Sequence, residues 1–116
     1  MNIGKTGKGG EDRVAAYFRK KCAAVIKRNY SCRFGEIDII AEYKEYILFV
    51  EVKTRKENSL ISGEEAVDSH KRERISFTAM DFIRKTHCKL QPRFDVACVT
   101  VTENNEFKLK YIKNAF

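Results

Sequence analysis

The sequence predicts one α/β domain over residues 1–116, with its elements in the order α-β-β-β-α-β-β. The length suits a single domain and leaves no room for a second. Two segments carry apolar residues at the spacing of an amphipathic helix, and five others are the short apolar or alternating runs that favour strands. The 43% apolar and 34% charged content is typical of a folded chain, which excludes a disordered protein.

The first helix is expected from Glu11 to about Cys22, where apolar side chains recur at helical spacing. The glycine-rich segment before it is expected to be mobile up to Gly10. Three strands separated by polar turns should follow, at Ala24–Asn29, Glu36–Ala41 and Tyr46–Lys53.

The rest of the chain is predicted to contain one helix and two strands. Residues 54–63 are rich in Lys, Glu, Asn and Ser and are expected to form a loop. The helix is expected from Gly63 or Glu64 to Arg84, and a connection with the only proline follows at Thr86–Arg93. The last two strands are then expected, one at Phe94–Thr102 and one that ends at Ile112.

Several classes of protein are excluded by features that the sequence lacks. The longest apolar run, Tyr46–Val50, is far shorter than the roughly 20 residues that span a bilayer, so no membrane association is expected. The N-terminal residues lack the apolar stretch of a secretory signal, and no complete P-loop or dinucleotide-binding motif occurs. The four cysteines lack the close pairing of zinc sites, so we expect reduced thiols in a cytoplasmic protein.

The chain carries 23 basic and 16 acidic side chains, a net charge of +7 that suggests an anionic partner, with nucleic acid the first candidate. The charge is distributed unevenly, at +7 over residues 1–35, −5 over 36–70 and +5 over 71–116. A protein that only covers phosphate has no need of an acidic middle segment. The pattern therefore favours a protein that holds a divalent cation beside phosphate.

A Glu-x-Lys triplet is a weak signal in a chain with 16 acidic residues. Three such triplets occur, beginning at Glu42, Glu51 and Glu106. The first lies in a polar turn, and the third alternates with apolar residues as on a half-solvated strand. Glu51 and Lys53, in contrast, continue one face of the most apolar strand, where charged groups are costly unless they are paired or bound to a metal.

Strand geometry predicts that Asp38 and Glu51 converge. Asp38 is expected on one face of its strand, with Ile37 and Ile39 on the other. If this strand pairs with the next one, Asp38 and Glu51 lie at similar distances from the turn between them. Two carboxylates with a carbonyl and waters suit Mg²⁺, and Lys53 beside them could position or deprotonate a water. The alternative is an edge-strand ion pair of Glu51 with Lys53, and a solvated Asp38.

Five ordered motifs carry a resemblance to a known family: Gly10-Glu11, Asn29-Tyr30, Gly35–Ala41, Phe49–Arg55, and Lys71 with Arg74-Ile75. Together they resemble the motif series of the YraN family. These small bacterial proteins are grouped with the restriction-endonuclease-like PD-(D/E)xK nucleases, and especially with archaeal Holliday-junction resolvases. The resemblance covers about Gly4 to at least Ala79, and it implies a mixed central sheet flanked by helices.

The resemblance implies a role for each matching residue. Asp38 and Glu51 would be metal ligands and Lys53 the catalytic lysine, while Glu11 matches an acidic residue that joins the resolvase site. Arg55 and Lys71 match recurrent basic positions. The full set of side chains expected to contact nucleic acid is Arg33, Arg55, Lys71 and Arg74.

Two functions remain open from the sequence. The first is a Mg²⁺- or Mn²⁺-dependent endonuclease that hydrolyses DNA, with branched or junction DNA as one candidate substrate. The second is a non-catalytic nucleic-acid-binding module of nuclease fold. The set of Glu11, Asp38, Glu51 and Lys53 favours the first, because a pure binder has no need of buried acids facing phosphate. Symmetric cleavage of both strands would need two sites, and therefore a homodimer.

Overall fold

The computed structural model describes residues 3–57 and 68–116, with side chains from Gly9 onward. The elements follow the order α-β-β-β-α-β-β, which confirms the predicted fold class. Their bounds are α1 Ile3–Lys20, β1 Ala24–Cys32, β2 Gly35–Tyr43, β3 Tyr46–Lys56, α2 Ser69–Thr86, β4 Gln91–Val101 and β5 Phe107–Ile112.

The five strands form one mixed sheet in the order β1-β2-β3-β4-β5. Tight turns join the first three strands, which pair antiparallel, as β4 and β5 also do. β3 and β4 are parallel, because the segment that contains α2 returns the chain to the starting end of β3 before β4 begins. The order of the strands in space is therefore their order along the chain.

In the part of the chain that the structure describes, one helix covers each face of the sheet. On the first face, Val14 and Phe18 of α1 pack against the central strands. On the second face, Ile75, Ala79 and Phe82 of α2 pack against the same strands. We call these the α1 face and the α2 face. Burial on both sides explains why β2 and β3 are nearly continuous apolar runs rather than alternating ones.

α1 begins at Ile3, so the prediction of a mobile segment up to Gly10 is wrong, and these residues are helical from Ile3 onward. The reason is close packing of the helix on the sheet. A Cβ atom on Gly10 would overlap Oγ1 of Thr54, and one on Gly9 would lie 2.7 Å from the ring of Phe107. The two glycines thus serve close approach of the helix backbone to β3 and β5.

The strands β3 and β4 are longer than predicted. β3 continues to Lys56, because its residues up to that point pair in parallel with β4, so the predicted loop from residue 54 is too early. β4 begins at Gln91 and includes Pro92, which was expected in a connection. Pro92 is tolerated because β5 joins the sheet only from Val96 onward, which leaves one side of β4 without a partner strand there.

The described part of α2 begins at Ser69 and is capped by Asp68. The carboxylate of Asp68 accepts a hydrogen bond from the backbone N–H of Lys71 at 2.8 Å, which satisfies one free donor of the first turn. The predicted start at Gly63 or Glu64 lies outside the described residues.

A buried carboxylate on β4 holds the C-terminal segment. Asp95 is fully buried and accepts hydrogen bonds from Arg93 Nη2 at 2.9 Å, from the Tyr111 hydroxyl at 2.6 Å and from Asn114 N at 3.0 Å. A buried charge is tolerated when its partner and its remaining hydrogen bonds are in place. We assign this network to the stability of the fold.

The four cysteines are free thiols, of which Cys22 is exposed and Cys98 buried. Cys98 lies in the core of the α2 face, and Cys32 Sγ lies 3.8 Å from Oγ1 of Thr78. Across residues 3–57 and 68–116, neither helix has the length and apolar character needed to cross a bilayer.

Candidate active site

β2 and β3 pair regularly as far as Ile39 and Val50 and then separate. Asp38 and Glu51 are the next residues on the two strands, so they flank the point of separation, which we call the fork. The structure therefore brings together the two carboxylates that the sequence singled out.

Asp38 bridges the fork through its side chain. Its Oδ2 accepts a hydrogen bond from the backbone N–H of Val52 at 2.8 Å. This bond satisfies a donor of β3 at a level where β2 no longer pairs with it. The Asp38 carboxylate is thereby fixed beside Glu51.

β1 changes face just opposite Asp38. Arg28 contacts α1 on one face, whereas Tyr30 donates a hydrogen bond to Asp81 of α2 on the other. Strict alternation would place Arg28 and Tyr30 on the same side of the sheet. The backbone of Asn29 between them has a φ of 54°, a left-handed conformation that breaks the alternation.

The alternation of side chains is also broken on β2, so the prediction that its two isoleucines share a face is wrong. Ile37 packs in the core of the α2 face and Ile39 in that of the α1 face, although both were expected on one side. Asn29 stands opposite Asp38 between two regular pairs of β1 and β2, so both strands change face at this level without a shift in register. The irregularity places Asp38 where it can reach β3.

The surroundings of Asp38 raise its pKa from 3.8 to about 7. Burial is the largest cause, and the negative charges of Glu51 and Glu11 add to it. The hydrogen bond from Val52 and the positive charge of Lys71 act in the opposite direction. A carboxyl group that titrates near neutral pH beside two other acids is typical of a functional site.

Glu51 is paired with a cation from α2, the helix that covers the same face of the sheet. Only 8% of Glu51 is exposed, and its Oε1 lies 2.5 Å from Nζ of Lys71. Lys71 lies in the first turn of α2, where the helix dipole disfavours a positive charge. The ion pair thus offsets both the cost of burying the charge of Glu51 and the unfavourable position of Lys71 in the field of the helix dipole. The sequence indicated Lys71 as a contact for nucleic acid and did not reveal this pairing.

Lys53 shares the face of Glu51, as predicted. Lys53 lies beside Cys98 of β4 and Glu51 beside Val96, and both of these neighbours belong to the core of the α2 face. Lateral neighbours in a sheet point to the same side, so Glu51 and Lys53 do too. Arg55 is the next residue along β3 on that face and is half-buried.

Glu11 reaches the fork from α1. It is close enough to contribute to the raised pKa of Asp38. Its carboxylate lies 3.6 Å from Nη2 of Arg28, which also bonds Asp12 at 2.8 Å. Arg28 therefore links β1 to two adjacent acids of α1, Glu11 and Asp12, and positions Glu11.

The donor set at the fork suits a hard divalent cation. In the part of the chain that the structure describes, no three His, Cys, Asp or Glu side chains are grouped to hold a metal ion. Mg²⁺ commonly takes one or two carboxylates and fills its other positions with water and phosphate oxygens. Burial and the negative charge of Glu51 raise the pKa of Asp38, and a bound cation would offset that repulsion. Asp38 and Glu51 are thus the residues that would hold Mg²⁺ or Mn²⁺.

A cleft of about 490 Å³ opens between the β1–β2 hairpin and the first half of α2. Lys71 lines it and contacts Glu51 at the same time, so the cleft adjoins the fork. Arg74 also lines the cleft, and Arg33 lies at the hairpin tip with its guanidinium 4.8 Å from the centre of the Phe34 ring. Three of the four predicted nucleic-acid contacts are therefore grouped around this cleft.

Two residues of the site had no role assigned from the sequence. An asparagine within a strand-like run, such as Asn29, is a usable signal, because asparagine tolerates the left-handed conformation better than most residues. The pairing of Arg28 with α1 gave no signal, since its partners there are distant in the sequence and local patterns do not show such contacts.

Comparison with known proteins identifies relatives over nearly the whole chain. A sequence profile described as "Uncharacterised protein family UPF0102" matches residues 10–99. A UPF0102 protein of Caldanaerobacter subterraneus subsp. tengcongensis is 40% identical, covering 100% of this chain and 98% of the relative. One from Clostridium botulinum is 42% identical, covering 95% and 92%. One from Phocaeicola vulgatus is 37% identical, covering 95% and 90%.

Proposed function

This chain belongs to the UPF0102 family, the YraN family named above, and we propose that it is a Mg²⁺- or Mn²⁺-dependent endonuclease acting on DNA. Its membership confirms the family resemblance that its motifs carry. The grouping with PD-(D/E)xK nucleases is part of this proposal. The observation that carries it is the fork, where Asp38 and Glu51 come together beside Lys53 at the end of a buried strand. Branched or junction DNA is the candidate substrate.

The residues of the fork divide the work of hydrolysis. Lys53, on the same face as Glu51, would orient the attacking water and stabilise charge that develops on the phosphate. A cation held by Asp38 and Glu51 would supply further stabilisation of that charge. Glu11 adds negative potential from the α1 side, which strengthens attraction for a cation.

The basic residues around the fork support a phosphate-bearing partner. Lys71 and Arg74 line the adjoining cleft, and Arg55 follows Lys53 on β3. The net charge of +7 adds a long-range attraction for nucleic acid. The reduced thiols fit a cytoplasmic setting, where nucleic acid is available.

A cleavage assay tests this proposal. Wild-type protein is incubated with labelled four-way junction, flap, single-stranded and linear duplex DNA, with Mg²⁺ or Mn²⁺ and with EDTA. We expect metal-dependent products that Asp38→Asn, Glu51→Gln and Lys53→Ala each reduce by at least about a hundredfold. Equal background cleavage by the wild type and these variants would show that the catalytic proposal is wrong.

The chain offers a matched control for these variants. Glu106 begins another Glu-x-Lys triplet and is exposed near the start of β5. Glu106→Gln removes one acidic charge without touching the fork, so its cleavage rate should stay within about twofold of the wild-type rate. A large loss in this variant would mean that net charge, rather than the fork, controls cleavage.

The second candidate function is a nucleic-acid-binding module without catalysis. The ion pair of Glu51 with Lys71 favours it, because Lys71 competes with a metal ion for this carboxylate. Salt-dependent binding of DNA without cleavage under any metal condition would support the module.

Sedimentation of the protein with and without junction DNA would test the homodimer that symmetric cleavage requires.

A further inference from the structure

An aromatic pair made of a half-buried ring and an exposed one lies at the outer rim of the cleft. The rings of Phe34, at the tip of the β1–β2 hairpin, and Phe77, on α2, are 5.5 Å apart with their planes inclined by 36°. Phe77 is 44% exposed, although large apolar side chains are usually buried. The guanidinium of Arg33 covers the Phe34 ring at 4.8 Å. The three side chains form what we call the aromatic rim.

The aromatic rim is continuous with the cleft, whose lining carries two cations and one acid, Glu36. Gly35, next to Phe34, lines the cleft, and so does Arg74, one helical turn before Phe77. Lys71, a further turn back, lines the cleft and contacts Glu51 of the fork. A path thus leads from the carboxylates of the fork, past two cations, to an exposed ring.

The chemistry along this path matches one nucleotide. The cations of the cleft suit a phosphate, and an exposed ring beside an arginine suits the face of a base. The volume of about 490 Å³ lies within the range of about 300–1,000 Å³ that small-molecule sites occupy. In a paired duplex both faces of each base are already stacked, so only an unpaired base can present a face to the rim.

We infer that the aromatic rim of Arg33, Phe34 and Phe77 binds an unpaired nucleobase next to the phosphate at the fork. This inference rests on the proposed function and narrows its substrate class to nucleic acid with unpaired nucleotides near the site of cleavage. Phe77 provides the stacking surface, and Phe34 and Arg33 hold it in place. The residues of the rim select the substrate and take no part in the hydrolysis itself.

Charge disfavours a second copy of the chain as the occupant of this surface. A twofold axis through Phe77 would bring Arg33 and Arg74 of one protomer towards the same residues of the other. Like charges brought together at an interface are costly. A nucleic-acid strand carries the opposite charge and has no such conflict.

The test compares two short labelled DNA molecules that differ only in a central run of unpaired nucleotides. Affinity is measured by fluorescence anisotropy with EDTA present, so that binding is separated from cleavage. Phe77→Ala should weaken binding to the DNA with unpaired nucleotides by at least about fivefold and leave duplex binding within about twofold. Phe77→Tyr should retain the preference, because it keeps the ring.

Met80 provides the matched control. It is 63% exposed one turn further along α2 and is not a ring. Met80→Ala should leave both affinities unchanged. Equal losses on both DNA molecules for Phe77→Ala, or no loss on either, would overturn the inference, as would binding of neither DNA by the wild type.

The remaining outcomes separate this inference from the proposed activity. Loss of the preference in Phe77→Ala, together with no cleavage by the wild type, would support the rim and reject the hydrolysis. Cleavage by the wild type with an unchanged preference in Phe77→Ala would reject the rim alone. If Phe77→Ala converts a dimer to monomers in sedimentation and weakens both affinities equally, the surface is a self-interface and the inference is wrong.

Discussion

Asp38 is the residue at which the backbone and the charges of the site meet. Its carboxylate accepts a bond from Val52 N while Glu51 and Glu11 repel it. The residue can hold this place because Asn29, opposite, takes a left-handed conformation and lets both strands change face. A single irregular backbone position thus allows a carboxyl group to be buried where charge is unfavourable.

The raised pKa of Asp38 predicts a pH-dependent cost to stability. The pKa is about 7 in the folded protein against 3.8 ordinarily, so the folded state holds a proton that the unfolded state has lost between these values. The free energy of unfolding should therefore fall as pH rises through this window and level off above it. Asp38→Asn removes the effect and should be more stable than the wild type at neutral and higher pH.

Urea unfolding in EDTA measures this prediction. The stability gain of Asp38→Asn over the wild type should grow by about 2 kcal/mol from about pH 5 to about pH 8. Glu42→Gln is the control, because Glu42 is an exposed acid on the same strand. Parallel pH profiles for the wild type and Asp38→Asn would contradict the prediction.

At the scale of elements, the position of α1 depends on two glycines. Gly9 and Gly10 have no side chains to separate the helix from Phe107 and Thr54. Glycine lowers the intrinsic stability of a helix by about 1 kcal/mol relative to alanine, so close packing has to offset that loss. The same contact brings Glu11, the next residue, to the fork.

Gly10→Ala should destabilise the protein despite the better helix propensity of alanine. The new Cβ atom would overlap Oγ1 of Thr54, and overpacking of this kind costs about 1–3 kcal/mol. Thr54→Ala removes the obstructing atom, so the double variant should recover most of the lost stability. Urea unfolding of the four proteins gives the coupling energy. Additive effects of the two substitutions would show that this contact does not position α1.

At the scale of the whole molecule, the fold gathers charges that are separate in the sequence. The acidic segment, residues 36–70, contributes Asp38 and Glu51 at the fork. The basic segments on either side contribute Arg28 from β1 and Lys71 and Arg74 from α2. The fold therefore groups the acids of the fork, Glu11 among them, with cations from distant parts of the chain.

The salt dependence of DNA binding should report on the cations of the cleft. Each lysine or arginine that contacts a phosphate contributes about one to the slope of log affinity against log salt. Arg74→Ala should lower this slope by about one. Arg84→Ala is the control, because Arg84 lies at the other end of α2 and pairs with Asp81. Equal slopes for the wild type and Arg74→Ala would place Arg74 outside the interface.

Much of the fold and part of the site could be predicted from local patterns. The order of the seven elements follows from apolar periodicity, and Asp38, Glu51 and Lys53 stand out because charges at the end of a buried strand need a reason. Such signals are available because burial imposes a period on each segment by itself. The bounds of β3 and β4 were less predictable, because pairing between the two strands, rather than their own composition, sets where each ends.

The sequence by itself therefore determined the architecture, the two central carboxylates and the cationic character of the protein. Only the tertiary structure decided that Lys71 pairs with Glu51, that Ile37 and Ile39 lie on opposite faces, and that Phe77 is exposed beside the cleft. These features depend on contacts between distant segments and on one left-handed residue. Neither the contacts nor the left-handed conformation produces a periodic pattern in the sequence, because both are set by the neighbours that folding brings together.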